Sequence, residues 1–368
     1  MQYLLPRQRE LCTLSQNMLL VVSQGARLAL KECQNHFAFR RWNCSTLPQT
    51  QRLLSPFEDR HLRLPELARL KLNKTSLDGF GKMLADDIPV ADDVPTDPAD
   101  VFGGALKFHS REKAYVHAII AAGAAHSITK ACKDGRLPSC KCDPNVHRRQ
   151  QRYKKKSKKG GKGGGQESWS WGGCSDYISY GERISKDFVD SSEFVRWRQL
   201  APQMMNLHNN EAGRRALRRN MQTLCKCHGI SGSCTMKICW RQMKSFHQVG
   251  AKLQRRFDGA VRVTLKQSNH KLLPVVPGHK RPRKRDLIYL EDSPNYCESN
   301  PKYDIPGTTG RKCNRTSYGT DGCALMCCGR GYTSKVVEIV EDCNCKFVWC
   351  CQVMCAKCRR LVEENYCK

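Results

Sequence analysis

Four cysteines and one serine hold the most concentrated chemistry in this chain. Cys225, Cys227, Cys234 and Cys239 bracket a short segment rich in glycine and serine. If they pair nested, Cys225 with Cys239 and Cys227 with Cys234, the midpoints of the pairs fall at about 232 and 230.5. Nested pairs with a shared centre describe a disulfide-stapled hairpin whose tip is Ile230, Ser231 and Gly232. Gly229 and Gly232 suit such a turn because glycine takes positive φ without steric cost. The Ser231 hydroxyl then stands at the end of a rigid finger. There it is a nucleophile, a modification site, or a turn residue without chemistry.

The nucleophile reading is weak. Gly229, Ser231 and Gly232 approximate a G-x-S-x-G elbow, but the second glycine comes one place early. An elbow also needs a strand before it and a helix after it, and here cysteines lock both flanks. His208 and Glu211 tempt an acid–base reading. Their i, i+3 spacing makes them helical neighbours, and with no second carboxylate or nucleophile beside them they read as a packing or capping network. Cys355 and Cys358 have zinc-ligand spacing, but no partnered second pair accompanies them. His117 and His126 lie over two helical turns apart and read as packed or surface histidines.

The chain has 368 residues, 23 cysteines and a formal net charge of +29. So many cysteines exclude a reduced cytosolic protein. Twelve lie from Cys297 to Cys367, the density of a small disulfide scaffold with a poor apolar core. The charge draws polyanions, and in an oxidising compartment those are sulfated glycans rather than nucleic acid. No apolar run has the length of a membrane span. The first residues also lack the apolar core of a secretion signal, so the true N-terminus is expected to lie upstream.

The elements that must position the hairpin follow from periodicity. The spacing predicts helices over 7–32, 111–132, about 176–190, about 206–224 and about 244–257, with a strand near 260–265. The second of these carries small residues that allow close helix packing. Residues 47–103 turn acidic and proline-rich, and 147–165 carry nine Lys/Arg between Arg148 and Lys162 among glycines. Both are expected to be disordered insertions. Three prolines and the basic run Lys280–Arg285 mark 267–286 as a linker. The expected organisation is α+β: a helical domain over 1–266 with the hairpin 225–239, the linker, and a cysteine-rich domain of β-hairpins over 287–368.

A second finger emerges from the same midpoint test. Cys343 with Cys358 centres on about 350.5, Cys345 with Cys355 on about 350.0, and Cys350 with Cys351 on about 350.5. These make a longer stapled hairpin over 343–358 with a vicinal disulfide at its tip, and the half-residue offset points to a bulge. Phe347, Val348, Trp349 and Val353 sit around that tip. Either they fold inward on their own domain or they form a binding surface.

The segment from Cys225 to Trp240 resembles the signature of the Wnt family of secreted signalling proteins. Glu32-Cys33-Gln34, Arg41 to Ser45, Gly173 to Asp176, Asn209 to Arg214, Cys327 to Tyr332 and Trp349 to Cys351 agree with it. The resemblance covers nearly the whole chain apart from the two insertions. It implies the further pairs Cys33–Cys44, Cys132–Cys140, Cys142–Cys174, Cys297–Cys328, Cys313–Cys323 and Cys327–Cys367. Cys12 is then left over, its partner in the family pairing scheme being a cysteine expected upstream of residue 1. It implies palmitoleate on Ser231, added by a Porcupine-type acyltransferase, and no cofactor beyond that lipid. Asn73 and Asn314 head glycosylation triplets, and the family counterpart of Asn314 is used. Asn43 heads a third, with a disulfide cysteine in its middle.

The implied function is that of a non-enzymatic secreted ligand. Ile230, Ser231 and Gly232 would meet a Frizzled cysteine-rich domain on one side. Phe347, Trp349, Cys350, Cys351 and Val353 would meet it on the other. A low-density-lipoprotein-receptor-related co-receptor, heparan sulfate and a secretion carrier complete the expected partners. Two alternatives from other classes stand beside this reading: a glycan-binding, cystine-rich matrix protein without receptor activity, and a secreted hydrolase using Ser231.

Overall fold

In the computed structural model the alanine-rich run forms a helix over Arg111–Lys133 that is buried on nearly every side. Ala114, Ala118, Ala121, Ala122 and Ala125 are wholly inaccessible. Small side chains let neighbouring helix backbones approach this one from several directions, which a single apolar stripe would not allow. The structure describes residues 5–15, 17–45, 104–146, 169–194, 200–229, 233–266, 268 and 270–368. Both expected insertions, with Asn73, therefore lie outside the described residues. So do Ile230, Ser231 and Gly232.

The chain divides into two compact units. One comprises Met1–Cys33 and Thr46–Ser293, the other Gln34–Ser45 and Pro294–Lys368. The longer helices are α1 (Pro6–Leu14), α2 (Met18–Phe37), α3 (Arg111–Lys133), α4 (Ile178–Val189), α5 (Leu200–Arg218) and α6 (Phe246–Asp258). The predicted helix over 7–32 is thus two helices. Ser15 between them is extended at φ −157°, and just before it the Thr13 hydroxyl donates back to Glu10 O at 2.7 Å, the kind of side-chain bond that competes with helix continuation. Leu11, Met18, Val21, Ile128, Tyr180, Ile184 and Phe188 pack into one core that holds α1 to α4 together. Buried Cys12 belongs to it as a free thiol.

In the first unit β1 (Trp169–Trp171) runs parallel to β3 (Met236–Met243), which pairs antiparallel with β2 (Met221–His228). The helix predicted to reach 224 ends at Arg218, because β2 draws the following residues into the hairpin. A second sheet joins β4 (Val261–Lys266), β5 (Lys271–Pro274) and β6 (Ile288–Tyr289), with β6 parallel to β4. The expected linker over 267–286 therefore contains a strand, and the first unit runs on to Ser293. Leu287 and Ile288, at 0% and 1% exposure, anchor this extension.

The second unit is built on β7 (Lys312–Cys313), β8 (Tyr332–Val348) and β9 (Gln352–Cys367), in the order β7-β9-β8. Its small core consists of Cys313, Cys323, Met326, Cys327 and Cys367 with Tyr332 against them. Cross-links stand in for the apolar core that so short a segment cannot build.

Candidate functional site

The first hairpin is held at its base. Cys225 and Cys239 face each other directly across β2 and β3, with Cα atoms 4.0 Å apart, and are bonded. Cys227 bonds Cys234 nearer the tip, and the Thr235 hydroxyl donates to the His228 carbonyl at 3.1 Å. Nested pairing and strand register thus agree with the spacing read from sequence. The Ile230–Gly232 tip itself lies outside the described residues.

The outer edge of β3 is not left open. Gly172 N–H donates to Cys239 O at 3.0 Å, and Asp176 N–H to Arg241 O at 2.9 Å. Arg241 N–H donates to Ser175 Oγ at 3.0 Å, and Met243 N–H to Asp176 Oδ2 at 2.7 Å. Lys133 on α3 lies 3.2 Å from the other Asp176 oxygen. The Gly173–Asp176 block is therefore a brace that ties the lipid-hairpin candidate to the buried helix. Its signal, an isolated small-polar cluster after a tryptophan pair, does not say which distant strand it serves.

The second hairpin is a two-stranded ribbon, exposed along most of its length. Its lower part is polar: Asp342 faces Lys357 with an ion pair at 2.5 Å, and Arg360 reaches Glu341 at 2.8 Å. Such exposed pairs contribute about 0.2–1 kcal/mol each, enough to favour one register where no core enforces it. Cys343–Cys358 and Cys345–Cys355 staple the middle, so Cys355 and Cys358 are not available to a metal. Between Cys343 and Lys346 the register shifts, two residues opposing one, with Asn344 at φ 49°. That is the bulge expected from the offset midpoints.

The tip is apolar. Phe347 faces Val353 across the strands, and they are 70% and 65% exposed, with Trp349 at 90% and Met354 at 64%. The inward-folded alternative is thus not the one adopted. The vicinal disulfide is not formed: Cys350 and Cys351 are both free and exposed. They end a three-residue loop with φ of 73° and 84°. Closing the chain through left-handed backbone at both residues serves the reversal of the hairpin, and spacing alone cannot distinguish that from a bonded pair.

The remaining pairs implied by the resemblance are located as follows. Cys132–Cys140, Cys142–Cys174, Cys297–Cys328, Cys313–Cys323 and Cys327–Cys367 are formed, and Cys33 and Cys44 are both disulfide-bonded. Asn314 is exposed, and its Oδ1 accepts from the Thr316 hydroxyl at 2.9 Å. His208 and Glu211 are not brought together for chemistry. His208 Nε2 donates to the Asp286 carbonyl at 2.9 Å, whereas Glu211 pairs with Arg214 and Arg215. Burial holds the His208 pKa below its usual value. His126 is packed, its ring 5.2 Å from that of Phe246.

These features have known counterparts. A family model described as the wnt family matches residues 1–63 and 93–368. The chain belongs to the Wnt family. It is 38% identical to human Wnt-2b over 99% of this chain and 78% of that protein. It is 38% identical to human Wnt-5b over 99% of this chain and 85% of that protein. Among solved structures, human WLS in complex with WNT8A matches with a TM-score of 0.58 at 32% identity, covering 95% of this chain and 93% of that one. As a Wnt family member the chain is a Wnt signalling ligand, and Wnt proteins are secreted. No helix among the described residues is long and apolar enough to cross a membrane.

Proposed function

We propose that this Wnt chain signals by holding a Frizzled cysteine-rich domain through two separate chemistries: an acyl chain on Ser231, flanked by Ile230 and Gly232, and the oily ribbon tip. The observation that carries this reading is the tip: Phe347, Trp349 and Val353 project from a stapled ribbon at 65–90% exposure. Apolar groups so displayed are costly unless a partner covers them. Cys350 and Cys351 lie within the same contact. The palmitoleate is the larger contributor. About a dozen buried methylenes at ~0.8 kcal/mol each offer on the order of 10 kcal/mol before ordering costs of several kcal/mol.

A Porcupine-type acyltransferase supplies the lipid in this reading, and no cofactor is needed beyond it. A single acyl chain gives marginal membrane attachment, so a carrier accompanies secretion. The complex of WNT8A with WLS supports a carrier of that kind. The net charge of +29 supports retention by heparan sulfate. A low-density-lipoprotein-receptor-related protein acts as co-receptor, and Asn314, with Asn73, carries N-linked glycan.

Pull-down of the secreted chain on a Frizzled ectodomain tests the reading, with intact-mass analysis of Ser231. Ser231→Ala should lose the acyl mass and most capture, and Trp349→Ala should weaken capture with the lipid in place. Full capture by the double variant would overturn it.

A further inference from the structure

Between β5 and β6 the first unit carries a basic loop that the ligand reading does not use. Residues 275–281 are all exposed, as are Arg283 and Lys284, while Pro282 is half-buried. Val275 N–H still donates to Arg262 O at 3.0 Å, and His279 N–H donates to Val276 O at 3.3 Å. On the far side the chain is pinned. The Asp286 carboxylate lies 2.5 Å from the Arg256 guanidinium and accepts from Arg283 N–H at 2.9 Å. Its carbonyl accepts from His208, and the Asn209 side chain both donates to Ile288 O and accepts from Ile288 N–H.

We propose that this loop is a processing site for a secreted serine protease of the trypsin class, cut between Arg283 and Lys284. An acidic specificity pocket takes an extended basic side chain, and exposed loop tips fixed at both ends are where nicking concentrates. Two other basic positions are poorer. Cleavage after Arg281 would place Pro282 beyond the scissile bond, a ring nitrogen with no N–H. Arg285 is half-buried and followed by Asp286, whose carboxylate lies 3.8 Å from its guanidinium. Arg283 is exposed and so is Lys284 beyond it. Water adds across the amide: Arg283 ends as a carboxylate, Lys284 begins a new chain as an ammonium, and nothing is oxidised or reduced.

The cut has a covalent consequence. Of the disulfide pairs located among the described residues, four close before Arg283 and five after it. Cys33 and Cys44 also precede it. None of these links spans the site. The hairpin at 225–239 and the ribbon at 332–367 then lose their covalent tie. Contacts such as those of Asn209 with Ile288, and of Arg311 with the Ala38 and Arg41 carbonyls, remain. Nicking would weaken a two-pronged grip, a consequence that rests on the receptor reading above; the cut itself does not.

The test uses the full secreted chain with limiting trypsin, and separately with conditioned medium with and without a trypsin-class inhibitor. Products are read by neo-N-terminus mass spectrometry and by non-reducing denaturing gel. A new N-terminus at Lys284 is expected, with a C-terminal fragment that separates without reductant. Cuts among the lysines of 148–162 stay joined through Cys142–Cys174. Replacing Lys280, Arg281, Arg283, Lys284 and Arg285 by Gln should slow the release at least tenfold with an unchanged unfolding profile. The proposal falls if the Gln variant is cut there as fast, if trypsin spares this loop while cutting others, or if no inhibitor-sensitive Lys284 terminus forms in medium. Undiminished Frizzled capture by the nicked protein would count against the receptor reading alone.

Discussion

Gly25 of α2 and Gly123 of α3 meet backbone to backbone. A Cβ built on Gly25 would lie 2.6 Å from the Gly123 carbonyl oxygen, and one built on Gly123 would press into the Gly25 carbonyl. Gly181 of α4 and Gly213 of α5 make similar approaches to α3, at Ala125 and Ala118. Because these obstacles are backbone atoms, no side-chain rotation relieves them. Gly123→Ala should therefore cost about 1–3 kcal/mol through forced helix displacement. Its stability by denaturant unfolding and its secreted yield should both fall. A variant as stable as the parent would show that α2 and α3 can part without loss.

Arg214, 2% exposed, grips Asp190, 5% exposed, with two hydrogen bonds of 2.9 Å each. Burial pushes the Asp190 pKa up, against the pull of that guanidinium. Removing one partner leaves a buried charge. Arg214→Met should cost about 3–5 kcal/mol, and adding Asp190→Asn should recover part of it, because the pair itself contributes little net stability. Equal losses for the single and the double variant would contradict this.

His126 is held neutral. Burial, helped by the charge of Lys130, lowers its pKa to about 4, below the ordinary value near 6.5. The unfolded chain therefore binds the extra proton more readily, and stability is lost as pH falls from about 6.5 toward 4. Between pH 7 and pH 5 the loss from this residue is about 2 kcal/mol. His126→Leu should show a flatter decline of melting temperature over that range. An identical decline would remove His126 as the cause.

Trp349 separates binding from stability. At 90% exposure it contributes little to folding, so Trp349→Ala should leave the unfolding midpoint within about 0.5 kcal/mol of the parent. Its capture by a Frizzled ectodomain should nevertheless fall about tenfold or more, chiefly through faster dissociation. Surface binding kinetics measure this directly. Unchanged dissociation would take the ribbon tip out of the contact.

Much was legible from the residues alone because it is written locally or covalently. The nested spacing of Cys225, Cys227, Cys234 and Cys239 gave the first hairpin its register, and the offset midpoints of the second gave a bulge, which the structure puts between Cys343 and Lys346. The periodicity of Arg111 to Cys132 gave α3 and its close packing. Tertiary structure alone decided the rest. Ser175 and Asp176 brace β3 over a sequence gap of more than sixty residues, and β6 returns parallel to β4 past the loop that reads as a linker. Arg214 is buried by helices that its own periodicity does not mention. Spacing equally suits a bonded or a free Cys350 and Cys351; at the ribbon tip both have positive φ and both are free. Repeats and cross-link spacings are properties of one stretch of chain. Burial and parallel pairing belong to two stretches at once, and neither carries the other's address.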